Sequence, residues 1–435
     1  MSRKKLKVIT LGCSKNTVDT EHLLAALPAD DFEIIPEEQE IVDGVLDYLL
    51  YNTCGFIGDA KEESIAAVLD GVEAKKRGDV GKLVVFGCLS QRYSRELPVE
   101  IPEVDAWFGA RDMNPILEYL GVPHSDFMTR YIPRHKGYAY IKISEGCDRR
   151  CSYCAIPFIR GAHRSVPMEL VRKEAESLAA DGVHELILIA QDTTYYGLDI
   201  YHRRALAELV RMLSSIPGIE WIRIHYSYPD GFPEDVLEEM ASNPKVCRYL
   251  DIPLQHISDK VLSNMHRHVD GAWTRKLIAT MREKVPGVVL RTTMIVGHPG
   301  EGDDEFAELH DFVAEAGFER LGAFTYSEEE GTWGAANLED DVPPEVKRQR
   351  LDELMGLQAE MSYKFNLSRV GSVERVMVDA ITEDGLLVCR SQYESPDVDG
   401  EILVETEEAD ESLIGSFINV RITDADEYDL TAVKL

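Results

Sequence analysis

Residues 138–154 read YAYIKISEGCDRRCSYC, and this stretch decides what the chain around it is. The run Tyr138–Ile143 reads as a strand rich in aromatic and β-branched residues. Cys147, Cys151 and Cys154 follow it with the spacing C-x3-C-x2-C. Three thiolates this close on one loop suit three irons of a 4Fe-4S cluster. Structural zinc normally takes four protein ligands, and no fourth Cys or His stands nearby at zinc-finger spacing. Three ligands leave one iron open to an exogenous ligand. A zinc site or a chance spacing is the plain alternative. The triplet follows the C-terminal end of its strand, the edge on which α/β barrels place their active sites.

Downstream, strands are expected at Glu185–Ala190, Trp221–His225, Tyr249–Ile252, Val288–Ile295 and Arg320–Phe324, with helices such as Pro167–Ala180 and Asp303–Glu315 between them. With Tyr138–Ile143 this makes six βα units, two short of a closed eight-stranded barrel, so an open partial (βα)6 barrel is expected. A long helix, Pro343–Leu367, opens on Pro-Pro and closes near Gly371. From Val373 to Leu435 the pattern changes to short alternating strands, with turn signals at Glu383-Asp384-Gly385 and Asp397–Gly400. That predicts a small β-barrel of about five strands. Residues 368–435 carry five Lys/Arg against seventeen Asp/Glu, so this module is strongly acidic.

Upstream, strand candidates Lys7–Leu11, Asp47–Tyr51 and Lys82–Phe86 alternate with helical stretches Thr17–Leu27, Asp59–Arg77 and Gln91–Leu97. The alternation predicts a parallel sheet with crossover helices. The Pro- and charge-containing stretch Tyr131–Gly137 reads as a linker. The expected architecture is therefore α/β: an N-terminal parallel α/β domain (1–130), a central partial (βα)6 barrel (131–367) and a C-terminal small β-barrel (368–435).

Cys13, Cys54 and Cys88 each stand at the end of an N-terminal strand, in Leu11-Gly12-Cys13, Asn52-Thr53-Cys54 and Phe86-Gly87-Cys88. In a parallel sheet the C-terminal strand ends share one edge, and ligands bind outside it. Three cysteines far apart in sequence then converge, and the glycines let backbone approach a bulky inorganic group. A second three-thiolate cluster is the expectation; three buried structural cysteines are the alternative. Cys247 and Cys389 show no such pattern and read as structural.

The chain has 435 residues, 44% of them apolar, and a formal net charge of −32. Its length suits two or three domains. Its start, MSRKKLKVITLGC, has too short an apolar run for a signal peptide, and no stretch reaches membrane-spanning length, so a cytoplasmic protein is expected. Eight cysteines without a secretory signal favour metal or redox chemistry over disulfides. The acidity opposes non-specific nucleic-acid binding and suits a basic protein partner, or serves solubility alone.

Leu11–Glu21 (LGCSKNTVDTE) and Tyr51–Ile57 (YNTCGFI) resemble the N-terminal domain of the methylthiotransferase family of radical S-adenosylmethionine enzymes, and Glu145–Cys154 resembles that superfamily's cluster loop. With a TRAM-like terminal barrel, the likeness spans essentially the whole chain. Gln191–Gly197 (QDTTYYG), Asp251–His256 (DIPLQH) and Ser395–Gly400 (SPDVDG) are similar to the branch that modifies an aspartate in protein twelve of the small ribosomal subunit. His298 stands where an aromatic is more usual in the family, and no function is read into it.

The resemblance implies two 4Fe-4S clusters, one on Cys147, Cys151 and Cys154 and one on Cys13, Cys54 and Cys88, with S-adenosyl-L-methionine as radical source. It implies that Tyr153 packs near the adenine. Gln191 and Arg223, at or near barrel strand ends, are candidates for further contacts to S-adenosylmethionine, with ordinary polar residues of the barrel interior as the alternative for each. The reaction implied is removal of a β-hydrogen from the aspartate by an adenosyl radical, then transfer of a methylthio group to the carbon. Such a C–H bond is beyond ordinary acid–base chemistry, which adds only about 10²–10⁴-fold, and no acid–base triad is expected. The implied partners are a basic small-subunit ribosomal protein, free or in the ribosome, and an electron donor such as flavodoxin or ferredoxin; a monomer is expected. The competing readings are a tRNA adenosine methylthiotransferase, an iron–sulfur electron carrier or sensor, and a radical enzyme in which Cys13, Cys54 and Cys88 are merely structural.

Overall fold

Short runs dominated by Leu, Val and Ile set the strands of the computed structural model, which describes residues 3–39, 45–132, 137–406 and 409–435. Much of the expected linker Tyr131–Gly137 lies outside the described residues. The chain forms two compact units. The first takes in Met1–Arg134, Glu145–Arg149 and Cys154–Arg164; the second takes in His135–Ser144, Arg150–Tyr153 and Ser165–Leu435.

The first unit is built on a five-stranded sheet of β1 (Lys4–Thr10), β2 (Phe32–Ile35), β3 (Leu46–Thr53), β4 (Val80–Gly87) and β5 (Ala106–Trp107), in the order β2-β1-β3-β4-β5. Every pairing is parallel. β3 and β4 are near-continuous apolar runs, as expected for strands covered on both faces. Leu50, Val84 and Phe86 pack with Leu23 and Leu24 of α1 (Ser14–Ala25). Leu49, Leu83 and Val85 pack with Val68 and Val72 of α2 (Gly58–Arg77). α2 stops at Gly78, which takes φ +87° after Lys75, Lys76 and Arg77, a left-handed cap with cations at the negative helix end. Edge strands β2 and β5 were not anticipated from the sequence; four and two residues long, they are too short to show a period.

The second unit starts with six parallel strands: β6 (Tyr138–Lys142), β7 (Glu185–Ile189), β8 (Trp221–Ile224), β9 (Val246–Asp251), β10 (Val289–Val296) and β11 (Arg320–Thr325). They lie side by side in chain order, the open six-unit arrangement expected. The helix Pro344–Arg369 runs along edge strand β11 and shields it. Gln358 donates to the Phe318 carbonyl at 3.2 Å, and Ser362 and Asn366 accept from Arg320 at 2.9 and 3.2 Å.

The last five strands, β12 (Val373–Ile381), β13 (Leu387–Arg390), β14 (Ile402–Glu405), β15 (Phe417–Ala425) and β16 (Leu430–Lys434), close into a barrel in the order β12-β13-β14-β16-β15. Val378, Leu387, Ile402, Val420 and Leu430 fill its core.

The connection from β13 to β14 does more than turn the chain. Residues 390–399 contact all six strands of the parallel sheet. Tyr140 of β6 donates to Asp397 at 3.0 Å, and Glu185 of β7 pairs with Arg390. Arg223 of β8 donates to the carbonyls of Gln392 and Ser391 at 2.9 and 3.3 Å. Tyr249 of β9 donates to Asp399 at 2.7 Å, Arg291 of β10 pairs with the same carboxylate at 3.5 Å, and Arg320 of β11 pairs with Glu394 at 3.0 Å.

Candidate metal centres

β1, β3 and β4 are neighbours in the first sheet and point the same way, so the chain leaves all three at one edge. There Cys13 caps α1, Cys54 follows the last residue of β3, and Cys88 opens the short helix α3 (Cys88–Arg92). The turns are close enough to require glycine. Gly12 has φ +92°, and a Cβ on it would stand 2.7 Å from the Cys54 Cβ. Gly87 has φ +107°, and a Cβ there would meet Asn52 Oδ1 and the Thr53 carbonyl at 2.6 Å. Asn16 ties the strand ends together: its Nδ2 donates to the carbonyls of Leu11 and Thr53 at 2.8 and 3.3 Å, and its own carbonyl accepts from Asn52 at 2.9 Å. Ser64 holds the Cys54 backbone, accepting from its N–H and donating to its carbonyl, each at 3.0 Å.

The three thiols feel one another electrostatically. Burial pushes the Cys54 thiol up and its charge interaction with Cys13 pushes the same way. Burial pushes Cys88 up to about 11, and the Arg160 guanidinium pulls against that rise. Arg160 Nε lies 3.2 Å from the Cys88 sulfur. Among the described residues no three His, Cys, Asp or Glu side chains crowd together tightly enough for a single metal ion. A multi-iron cluster has its ligands on different irons and so further apart. Three converging thiols, a cradle that admits only glycine and a buried cation fit an anionic iron–sulfur cluster gripped at three corners. Binding it replaces the thiol protons.

The second trio lies within eight consecutive residues, Cys147 to Cys154. In the first unit, Cys147 N–H donates to the Gly161 carbonyl at 3.0 Å and His163 N–H to the Asp148 carboxylate at 3.1 Å. In the second unit, Ser152 is pinned through its N–H to Met265 and through its carbonyl to Gly334, at 3.0 and 2.7 Å. Cys151 lies 3.7 Å from the Tyr228 hydroxyl and 3.6 Å from Arg267 Nη1. Arg267 is buried, stacks on Tyr228 at 4.2 Å and donates to the Pro253 carbonyl at 2.5 Å. Three thiols on one loop with a buried guanidinium beside one of them suit a second cluster.

Tyr153 is half-buried, its hydroxyl 3.5 Å from Arg267 Nη1 and its ring edge-on to His298 at 6.3 Å. Gln191, half-buried, stands two residues past β7. Arg223 is a correction. It is wholly buried, its Nε donates to Glu185 at 2.8 Å and its Nη groups to the carbonyls of residues 391 and 392. Three of its five N–H donors are bound within the protein and none of its surface is exposed, so Arg223 is part of the sheet's interior. Burial lowers the His298 imidazole to about 4, so it is neutral near pH 7. Cys247 and Cys389 are buried. Sequence reading missed Arg160 and Arg267, because a single arginine near a cysteine carries no periodicity or spacing.

Residues 141–313 match the family model described as the radical SAM superfamily, residues 370–434 the TRAM domain, and residues 5–109 the uncharacterized protein family UPF0004. Fold, cysteine loop and these matches together define a radical S-adenosylmethionine protein carrying a TRAM barrel. The ribosomal protein uS12 methylthiotransferase RimO of Bacteroides fragilis is 47% identical over 432 residues, 99% of each chain. That of Christiangramia forsetii is 49% identical, over 99% of this chain and 94% of its own. The chain belongs to the RimO family of ribosomal protein uS12 methylthiotransferases. Both relatives carry the uS12 name, and nothing found supports the tRNA-modifying alternative. Among solved structures, the radical S-adenosylmethionine methyltransferase TsrM of Kitasatospora setae, with cobalamin and a [4Fe-4S] cluster bound, is similar at TM-score 0.57 and 16% identity, over 75% of each chain. At that identity the likeness concerns the fold. Among the described residues no helix is long and apolar enough to cross a membrane.

Proposed function

We propose that this chain inserts a methylthio group at the β-carbon of an aspartate in ribosomal protein uS12. The convergence of Cys13, Cys54 and Cys88 at one sheet edge, in a chain that also carries the Cys147–Cys151–Cys154 loop, is the observation that carries the reading. The cofactors are S-adenosyl-L-methionine and two 4Fe-4S clusters. When bound, they supply a radical able to break an unactivated C–H bond and a sulfur to take the hydrogen's place.

The protein's own part is to hold, orient and tune. Cys147, Cys151 and Cys154 hold the cluster that meets S-adenosylmethionine, and Cys13, Cys54 and Cys88 hold the other. Tyr153 packs against the adenine, and Gln191 offers an amide at the sheet's C-terminal edge. The functional domains are 1–130 for the auxiliary cluster, 131–367 for the radical core and 368–435 for the substrate.

The partner is a basic protein of the small subunit, free or in the ribosome. The terminal barrel exposes Glu383, Asp384, Glu405, Asp410, Glu411, Asp424, Asp426 and Glu427. That surface steers and orients a basic protein, whereas an RNA ligand calls for cations against its phosphates. The enzyme works as a monomer in the cytoplasm, with flavodoxin or ferredoxin as electron donor.

The test is mass spectrometry of small-subunit proteins and of tRNA after anaerobic incubation with enzyme, reductant, sulfide and S-adenosylmethionine. The expected result is a methylthio mass increment on one aspartate of uS12. Methylthio-adenosine in tRNA with uS12 untouched would overturn the proposal.

A further inference from the structure

Arg160 follows the last cysteine of the C-x3-C-x2-C loop by six residues, yet its side chain is directed at the other trio. It is 4% exposed. Its Nε donates to the Cys88 sulfur at 3.2 Å, and Nη2 donates to Asn16 Oδ1 at 2.6 Å. Nη1 is shared among the Asp19 carboxylate at 2.7 Å, the Glu145 carboxylate at 3.2 Å and the Ala110 carbonyl at 3.3 Å. The segment carrying it is seated as firmly. Ala155 and Ile159 pack with Cys88 and Ala110 in one small apolar cluster, and Arg111 donates to the carbonyls of Phe158 and Ile159 at 2.6 and 2.9 Å.

A planar fork fixed on every edge aims its Nε–H with little freedom. Asn16, which sets one side of that fork, is itself bound to the strand ends that present Cys13 and Cys54. Hydrogen bonds to ligand sulfurs and nearby net charge are what set the potential of an iron–sulfur cluster. A buried N–H donated by a cation withdraws electron density from the thiolate and favours the reduced, more negative state of the cluster behind it.

We propose that Arg160 is a positioning residue of the auxiliary cluster: through its N–H to the Cys88 sulfur it raises that cluster's reduction potential, and through Asp19 and Glu145 the size of the rise is limited. This rests on the reading of Cys13, Cys54 and Cys88 as cluster ligands.

The experiment uses the full chain with Cys147, Cys151 and Cys154 replaced by Ala, reconstituted anaerobically so that only the auxiliary cluster remains. Iron content is measured, and the midpoint potential is followed by electron paramagnetic resonance. Arg160→Met is expected to make reduction at fixed potential at least tenfold less favourable, a negative shift of about 59 mV for one electron. Arg160→Lys keeps the charge but not the fixed fork, and is expected to give a smaller shift of the same sign. Asp19→Asn removes a counter-charge, and a positive shift is expected. A residue that merely packs does not produce shifts of opposite sign. Unchanged potentials in Arg160→Lys and Asp19→Asn, with iron retained, would overturn the inference even if Arg160→Met loses the cluster. Absence of iron from the parent triple variant would instead defeat the ligand reading beneath it.

Discussion

Arg267 places Nη1 3.6 Å from the sulfur of Cys151 while buried to 3% exposure. Among the described residues no carboxylate pairs with it; its other neighbours are the Tyr228 ring, the Tyr153 hydroxyl and the Pro253 carbonyl. A buried cation facing a thiol becomes well placed only when that thiol is an anionic ligand. Cluster binding should therefore stabilise the wild-type protein more than an Arg267→Met variant. The expected loss is about 1.5–3 kcal/mol of the stabilisation gained on reconstitution, the size of a hydrogen bond to a charged group. Denaturant unfolding of iron-free and reconstituted protein checks it. An equal gain in both proteins would show that Arg267 does not sense the cluster.

Gly12 leaves no room for a methyl group, since its Cβ would fall 2.7 Å from the Cys54 Cβ at a φ of +92°. Gly12→Ala should displace the Cys13 or Cys54 turn and release the auxiliary cluster alone. Iron and sulfide should fall to about half, while reductive cleavage of S-adenosylmethionine continues. Retention of full iron would mean that the turn yields more easily than its geometry implies.

Glu394 is wholly enclosed between two arginines. Burial alone would raise its carboxyl, but Arg369 and Arg320 outweigh that and hold it at about 2, against an ordinary 4.5. Between those two values the unfolded chain binds a proton that the folded chain refuses, so the contribution to stability is present above pH 4.5 and is lost as pH falls toward 2. Glu394→Gln should cost about 3–5 kcal/mol at pH 7 by removing the carboxylate that buried Arg320 and Arg369 share, which leaves Arg369 only Glu374. It should also show a shallower decline than wild type below pH 4.5 in urea unfolding of the iron-free protein.

His298 gives a second acid-sensitive window. Burial lowers it from an ordinary 6.5 to about 4, and no described group hydrogen-bonds its Nε2. The folded state thus loses stability relative to the unfolded state as pH falls from 6.5 to 4. His298→Phe keeps a ring against Tyr153 and Tyr326, which stand 6.3 and 4.9 Å from it. The variant should be as stable as wild type or more so at pH 7, and should lack the part of the decline, up to about 3 kcal/mol, that a single shifted imidazole produces. Parallel pH profiles for the two proteins would rule this out.

The elements that could be read from the sequence share a property: each is long enough to show its period, or bounded by residues with one conformational use. Tyr138–Ile143, Glu185–Ala190 and Arg320–Phe324 fall within a residue of the strands found. The position of Cys13, Cys54 and Cys88 at neighbouring strand ends was legible because strand ends are a sequence property, as is the spacing of Cys147, Cys151 and Cys154. Contacts made across the fold were not. Arg223 looked like a ligand residue because it lies on a barrel strand, but only the structure reveals that Glu185 and the backbone at 391 and 392 occupy its guanidinium. Arg160 and Cys88 are 72 residues apart, and no local pattern joins them.

The segment 390–399 has a consequence for how this chain can be taken apart. Because one decapeptide belongs chemically to both the terminal barrel and every strand of the core, the last 65 or so residues are not a detachable handle for the substrate. Cutting the chain near Gly371 would strip the carbonyls of residues 391 and 392 from Arg223, Asp399 from Arg291 and Glu394 from Arg320. The shortened product should aggregate rather than persist as a catalyst with poorer aim. A transplant of this module between relatives should succeed only when the core residues opposite the decapeptide travel with it.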